Sequence, residues 1–219
     1  MRKIIGAAFI SLDGVMQAPG GPTEDPTGGF KYGGWLPPYA DEASEKAIDD
    51  LFDRSFDLLL GRRTYDIFAA YWPYAKGSEI GETFTMVRKY VVTHGEKPLN
   101  WQNSEPVSSI EAVARLRNSD GPELLIQGSS TLYPQLLAAG LIDRLILMTF
   151  PIVLGDGKRL FGGGTPSHAM RMTDHVVSPR GTIVARYEPA GALETGSFIN
   201  QEPSELEVAR RKSMAEGTW

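Results

Sequence analysis

Two segments constrain this chain more than any others: Leu58-Leu59-Leu60-Gly61-Arg62-Arg63-Thr64-Tyr65 and Leu124-Leu125-Ile126-Gln127-Gly128-Ser129-Ser130-Thr131-Leu132-Tyr133. Each is an apolar run too short for a helix, followed by Gly, a hydroxyl residue and a helical pattern, which reads as a buried strand turning into a helix N-terminus. The unpaired N–H groups of a first helical turn and the positive end of its dipole attract anions, and Gly lets the backbone approach closely, so such junctions bind phosphate. Two in one domain suit a ligand with more than one phosphate. Arg62 and Arg63 add planar guanidinium groups, which meet a phosphate with paired hydrogen bonds or lie against an aromatic ring. Strand–Gly–helix turns also occur without ligands, with Ser or Thr simply capping the helix, and for either segment alone that reading stays open.

Strands are expected near 3–10, 57–60, 89–93, 123–127 and 142–154, with a final hairpin at 169–177 and 182–188 turning at Ser178-Pro179-Arg180-Gly181. Helices fall between them. Ala43, Ala47, Ile48, Leu51 and Phe52 share one helical face behind a cap at Asp41, Ser108 with Glu111 has the capping-box spacing, and Leu132, Leu136 and Leu137 form the inner face of a helix ended by Gly140. Strand–helix alternation followed by strands alone implies an α/β fold with a mostly parallel central sheet and an antiparallel edge hairpin.

The 219 residues suffice for one sizeable core, and the net charge of −5 with no Lys/Arg-rich block argues against nucleic acid or an anionic membrane surface as the main partner. With no Cys, disulfides, thiolate nucleophiles and Cys-ligated metals are excluded. His94, His168 and His175 lack metal-ligand spacing, and no G-x-S-x-G elbow, P-loop or strand-linked G-x-G-x-x-G is present. The basic and apolar start reaches Asp13-Gly14 with no cleavage-like region, and no stretch is long enough to span a membrane; it reads as the first strand of a cytoplasmic protein.

Residues 17–40 are rich in Gly and Pro and carry Phe30, Tyr32, Trp35 and Tyr39. A loop this long is disordered or a lid, and its rings favour a lid over a flat heterocyclic substrate, with Trp35 the candidate to touch it; rings that merely pin the loop are the competing reading. Asp13 lies just past the first strand, where open α/β sheets place ligands. It is a candidate to orient substrate or relay a proton, against an ordinary Asp-Gly turn.

Gly61-Arg62-Arg63-Thr64, Thr93 after Lys89-Tyr90-Val91-Val92, and Gly128-Ser129-Ser130-Thr131-Leu132-Tyr133 follow the order and spacing of the dihydrofolate-reductase-like family. With Ser11-Leu12-Asp13-Gly14, the chain resembles the reductase (C-terminal) domain of bacterial riboflavin-biosynthesis deaminase-reductases over about residues 3–188. The resemblance implies a dihydrofolate-reductase-like three-layer fold over 1–189 and a homodimer; residues 190–219 extend beyond it, with Ala190 to Pro203 reading as a linker and Ser204 with Glu207 as a capping-box pattern ahead of a short charged helix. It further implies that the backbone of Ala8 meets the nicotinamide carboxamide, that Gly61, Arg62 and Thr64 hold the pyrophosphate and adenosine phosphate, that Thr93 lies at the adenosine end, and that Gly128, Ser129, Ser130 and Leu132 form the second junction. Gly155, within Pro151–Gly157, matches a late-strand loop closing over the substrate. The paired arginines favour NADPH over NADH. The carboxylate that holds the pterin in dihydrofolate reductases proper has no clear counterpart, since Glu45, Asp49 and Asp50 look like solvated acids, and Gly128-Ser129 replaces a Gly-Gly pair. The expected activity is NADPH-dependent hydride transfer to a C=N or C=O carbon of a pyrimidine- or pterin-like molecule, an aminopyrimidine ribosyl phosphate being the family default. A non-catalytic dinucleotide-binding or sensor protein on the same fold is the alternative.

Overall fold

The structure is a computed structural model that describes residues 1–218. Eight strands form one sheet: β1 (Ile4–Ser11), β2 (Phe56–Gly61), β3 (Lys89–Val92), β4 (Ser104–Val107), β5 (Glu123–Gln127), β6 (Arg144–Phe150), β7 (Met170–Val177) and β8 (Ile183–Pro189). Their spatial order is β4-β3-β2-β5-β1-β6-β8-β7. Pairing is parallel from β4 through β6 and antiparallel at β6–β8 and β8–β7. The intervening helices are α1 (Glu42–Phe52), α2 (Arg62–Tyr71), α3 (Glu79–Met86), α4 (Ile110–Arg117) and α5 (Leu132–Ala138), with α6 (Glu205–Ala215) beyond the sheet.

Strand alternation divides the core into two layers. Ile4, Ala8, Leu59, Leu124 and Ile126 pack on α4 and α5, while Ile5, Ala7, Leu58, Leu60 and Leu125 pack on the α1, α2 and α3 side. Helix ends follow local chemistry: Asp41 caps α1 in a reciprocal box with Ser44, and Gly140 takes a positive φ past α5. The turn at Ser178–Gly181 closes through Gly181 N–H to Ser178 O at 2.9 Å.

Several boundaries differ from expectation. The cap of α4 is Ser109, whose Oγ accepts Ala112 N–H at 3.2 Å, rather than Ser108; two serines stand in tandem, and starting one residue later turns Val113 into the core. The strand expected over 142–154 stops at Phe150, because Pro151 has no N–H for the ladder and Ile152 N–H folds back onto Phe150 O. β4 carries Pro106, tolerable because the strand lies at the sheet edge. α3 contains Gly81, where a Cβ would stand 3.0 Å from the Trp72 carbonyl oxygen. Ser204 caps α6 as its spacing suggests, and no described residue of α6 is buried.

Candidate functional site

The C-terminal ends of β3, β2, β5 and β1 stand side by side, and the two strand–helix junctions meet there. Gly61 N–H donates to Ser129 Oγ at 2.8 Å, and Ser129 N–H donates to Thr64 Oγ1 at 2.9 Å. Each of these two hydroxyls therefore accepts a backbone N–H of the other junction, clasping the two turns together. Gly128 and Ser129 both adopt positive φ, 70° and 62°, to make the turn, and a Cβ on Gly128 would lie 3.0 Å from Thr64 Cγ2. Ser130 is half-buried beside the clasp, and Leu132 is a core side chain whose N–H is taken by Ser129 O. Thr93, half-exposed at the end of β3, donates its N–H to Val107 O at 3.0 Å, and its Oγ1 accepts Gly95 N–H at 3.3 Å.

Beyond the clasp α2 begins with no side-chain cap and no acid in its first turn. α1, α3, α4 and α6 each have both. Two cations at the positive end of a helix oppose its dipole, an arrangement that an anion would relieve. The two arginines are not equivalent. Arg62 is engaged by Asp66 Oδ1 at 3.0 Å, Lys97 O at 2.7 Å and Pro98 O at 3.4 Å, and lies over the Tyr65 ring. Arg63 is exposed and makes no hydrogen bond or ion pair among the described residues. Side chains lean toward the N-terminus of their helix, so Arg63 can reach over the first turn.

β5 pairs with β1 only as far as Ala7↔Gln127, whereas β6 follows β1 to Ser11↔Phe150. Past Ala7 the β5-side edge of β1 is open. Leu124 N–H donates to Lys3 O and the Tyr133 hydroxyl donates to Ala7 O at 3.3 Å on that side. Backbone groups alternate along a strand, so Phe9 is the next residue to face the opening, and Ala8 directs its own groups toward β6. Of the two residues, Phe9 rather than Ala8 therefore presents its backbone groups to the opening.

Asp13 is held on every side. Oδ1 accepts from Ser11 Oγ at 2.6 Å and Leu154 N–H at 3.1 Å, and Oδ2 accepts from Gly155 N–H at 2.9 Å with Arg159 at 3.5 Å. Burial acts to raise this carboxyl, but the hydrogen bonds from Ser11, Leu154 and Gly155 outweigh it and bring it down to about 2. At neutral pH it has no proton to relay; its geometry is that of a clamp fixing the segment after β6 onto the end of β1. Gly155 sits in that clamp at φ 79°.

Trp35 is buried: its Nε1 donates to Gln17 O at 2.9 Å and its ring meets Phe150 edge-on at 5.6 Å. It anchors the loop of residues 17–40, as does buried Phe30, while Tyr32 and Tyr39 remain exposed. Pinning by Trp35, rather than its presentation to a ligand, is thus the arrangement the structure contains. No cluster of three or more His, Asp or Glu side chains able to hold a metal occurs among the described residues. No helix among them is long and apolar enough to cross a membrane.

Sheet order, antiparallel C-terminal hairpin and paired helix N-termini define a dihydrofolate-reductase-like protein. The model of the RibD C-terminal domain matches residues 2–184, and the chain belongs to that family. It is 25% identical over 169 residues to the uncharacterized protein YyaP of Bacillus subtilis, covering 73% of this chain and 80% of that one. Among solved structures it is similar to a putative riboflavin biosynthesis protein from Shewanella sp. PV-4, at TM-score 0.62 and 22% identity over 85% of this chain and 98% of that one. It is also similar to dihydrofolate reductase from Enterococcus faecalis complexed with NADP(H), at TM-score 0.55 and 15% identity over 86% and 96%.

Proposed function

We propose that this protein is an NADPH-dependent reductase of a small pyrimidine- or pterin-like heterocycle. The observation that carries the reading is the clasp of Gly61 and Thr64 with Ser129, which sets two helix N-termini together at the sheet end where β1 runs on past β5, with Arg63 exposed in the first turn of α2. The glycines, the hydroxyls and an uncapped helix fit a cofactor with a pyrophosphate, and the RibD C-terminal family and the NADP(H) complex of a similar fold support that fit. When bound, the cofactor supplies the hydride. The chain's own part is to hold the phosphates through the first turn of α2 and Arg63, to meet the carboxamide with the Phe9 backbone, and to keep the substrate face ordered through Asp13 and Gly155. The proton comes from water, since Asp13 is ionised.

The first test is thermal stabilisation by NADPH and by NADH over a concentration series, followed by NADPH oxidation with a panel of pyrimidines and pterins. A ligand of the native state raises stability according to its concentration relative to Kd. Selective stabilisation by NADPH with turnover of a panel member supports the reading. Stabilisation without turnover favours the sensor reading, and no stabilisation by either nucleotide at about millimolar concentration rules out both. We also read the protein as a cytoplasmic homodimer. Exposed Met172, Val177 and Ile183 on the β7–β8 hairpin are the apolar surface a second copy would cover, which light scattering tests.

A further inference from the structure

We propose that Gln17 is the positioning residue of the substrate side, its side-chain amide locking the loop of residues 18–35 to the strap of residues 152–160 so that the two behave as one body. The lock itself is read from the structure alone; its effect on turnover rests on the reductase reading above.

Gln17 is 5% exposed, and each of its side-chain groups has a partner. Nε2 donates to Asp25 O at 2.9 Å and to Thr27 O at 2.9 Å, and Oε1 accepts Lys158 N–H at 3.0 Å. Its backbone carbonyl accepts the Trp35 indole N–H at 2.9 Å. One residue thus gathers the turn at 25–27, the ring that anchors the far end of the loop, and the strap that follows β6. The chain enters this knot in a fixed register, with Val15 bridged to Arg159 and Met16 N–H donating to Lys158 O at 2.9 Å. A planar amide is the one neutral side chain of this length that donates twice and accepts at once. A carboxylate loses both donors, and an apolar isostere leaves two carbonyls and an N–H unpaired in a buried place.

A second tie crosses the same gap: Lys158 Nζ meets Asp25 Oδ2 at 2.5 Å and Thr27 Oγ1 at 2.7 Å. It is an ion pair less buried than the amide, with the Lys158 and Asp25 side chains 29% and 16% exposed, so water can replace part of it. The buried amide is therefore the lock and the lysine its outer reinforcement. Because Asp13 clamps Leu154 and Gly155 of the same strap, Gln17 connects Trp35, Asp13 and Gly155 mechanically.

Gln17→Glu tests this without changing shape. The charged groups around the new carboxyl are Asp25 and Glu24 on the loop, Lys158 and Arg159 on the strap, and Asp13 at the end of β1. Ionised, the new carboxyl faces two carbonyl oxygens and has no donor; protonated, it regains one donor and keeps its acceptor. Acrylamide quenching of Trp35, isolated by subtracting the matching Trp35→Phe proteins, should be low and unchanged with pH in the wild type. In Gln17→Glu it should be high near pH 8 and fall toward wild type near pH 5, where a carboxyl among acceptors is protonated. Over the same range the NADPH dissociation constant should stay within about threefold, while kcat/KM drops about tenfold at the higher pH, chiefly through KM, and recovers at the lower. Recovery at low pH shows that the variant folds. Lys158→Ala should leave Trp35 shielded. If Trp35 accessibility in Gln17→Glu does not follow pH, or Lys158→Ala exposes the ring as fully, Gln17 is not the lock. If accessibility follows pH while KM and kcat do not, the positioning role is overturned. If the wild type binds no NADPH, the reductase reading fails and the quenching data alone decide the lock.

Discussion

The backbone N–H of Ser129 donates to Oγ1 of Thr64 at 2.9 Å, joining two strand-to-helix turns that stand 65 residues apart in the chain. With the return bond from Gly61 N–H to Ser129 Oγ, it fixes the spacing of the two helix N-termini before any ligand arrives. A site ordered by its own hydrogen bonds does not have to be assembled at the expense of binding energy.

Thr64→Val keeps the shape of the side chain and removes the acceptor. Ser129 N–H is then left unpaired in a buried turn, a loss of about 1–3 kcal/mol. Urea unfolding should show that loss with an unchanged m-value, and NADPH should stabilise the variant less than the wild type. Thr64→Ser, which restores the oxygen, should recover most of both.

Arg63→Ala should weaken NADPH binding about tenfold, the scale of one charge-assisted contact at about 1.4 kcal/mol. Arg62→Ala should act differently. It frees the carbonyls of Lys97 and Pro98 and leaves Asp66 paired with Lys97 alone, so it should lower thermal stability more than it changes the NADPH dissociation constant. Calorimetric titration of the two variants side by side separates the roles; a larger binding loss in Arg62→Ala would return that position to the phosphates.

What the sequence made legible, and what it did not, follows the range of the interactions. The strand–helix junctions at 58–65 and 124–133 were readable because apolar period, Gly and hydroxyl residues lie within one window, and the family resemblance supplied their order. The division between Arg62 and Arg63 was not, since it depends on the Lys97 carbonyl 35 residues away. Which of Ala8 and Phe9 turns its backbone to the open edge could not be told without the point where β5 leaves β1. Asp13 stood out as a carboxylate at a strand end, but its partners at Leu154 and Gly155 lie 141 and 142 residues on, so its tie to that segment had no local signal. Gln17 gave no local signal, because an isolated Gln in a Gly- and Pro-rich loop announces neither burial nor its four partners.

Lys89 is fully buried and forms no ion pair among the described residues; its Nζ donates to the carbonyls of Phe84, Thr85 and Val87 and lies 4.2 Å from the centre of the Trp101 ring. Burial pushes its ammonium down to about 8. Between that value and the ordinary lysine value the unfolded chain binds more protons than the folded one, so stability should rise with pH across this window. Chemical denaturation between about pH 7.5 and 10 should show the rise in the wild type and its absence in Lys89→Met.

For Asp13 the slope has the same sign in a more acidic window, but here the charged form is the stabilised one. Its folded carboxyl lies near 2, below the value for an unfolded aspartate, so the ionised clamp contributes fully above about pH 4 and is lost as pH falls toward 2. Asp13→Asn preserves one acceptor but places an amide against the N–H groups of Leu154 and Gly155, so it should be less stable at neutral pH and lose less on acidification. The two denaturation curves should converge near about pH 2 to 3. If, as proposed, Asp13 clamps Gly155 and supplies no proton, Asp13→Asn should depress kcat/KM without abolishing turnover and without adding or removing a limb of the pH–rate profile between about pH 6 and 9. Loss of a basic limb in Asp13→Asn would instead identify Asp13 as the proton donor.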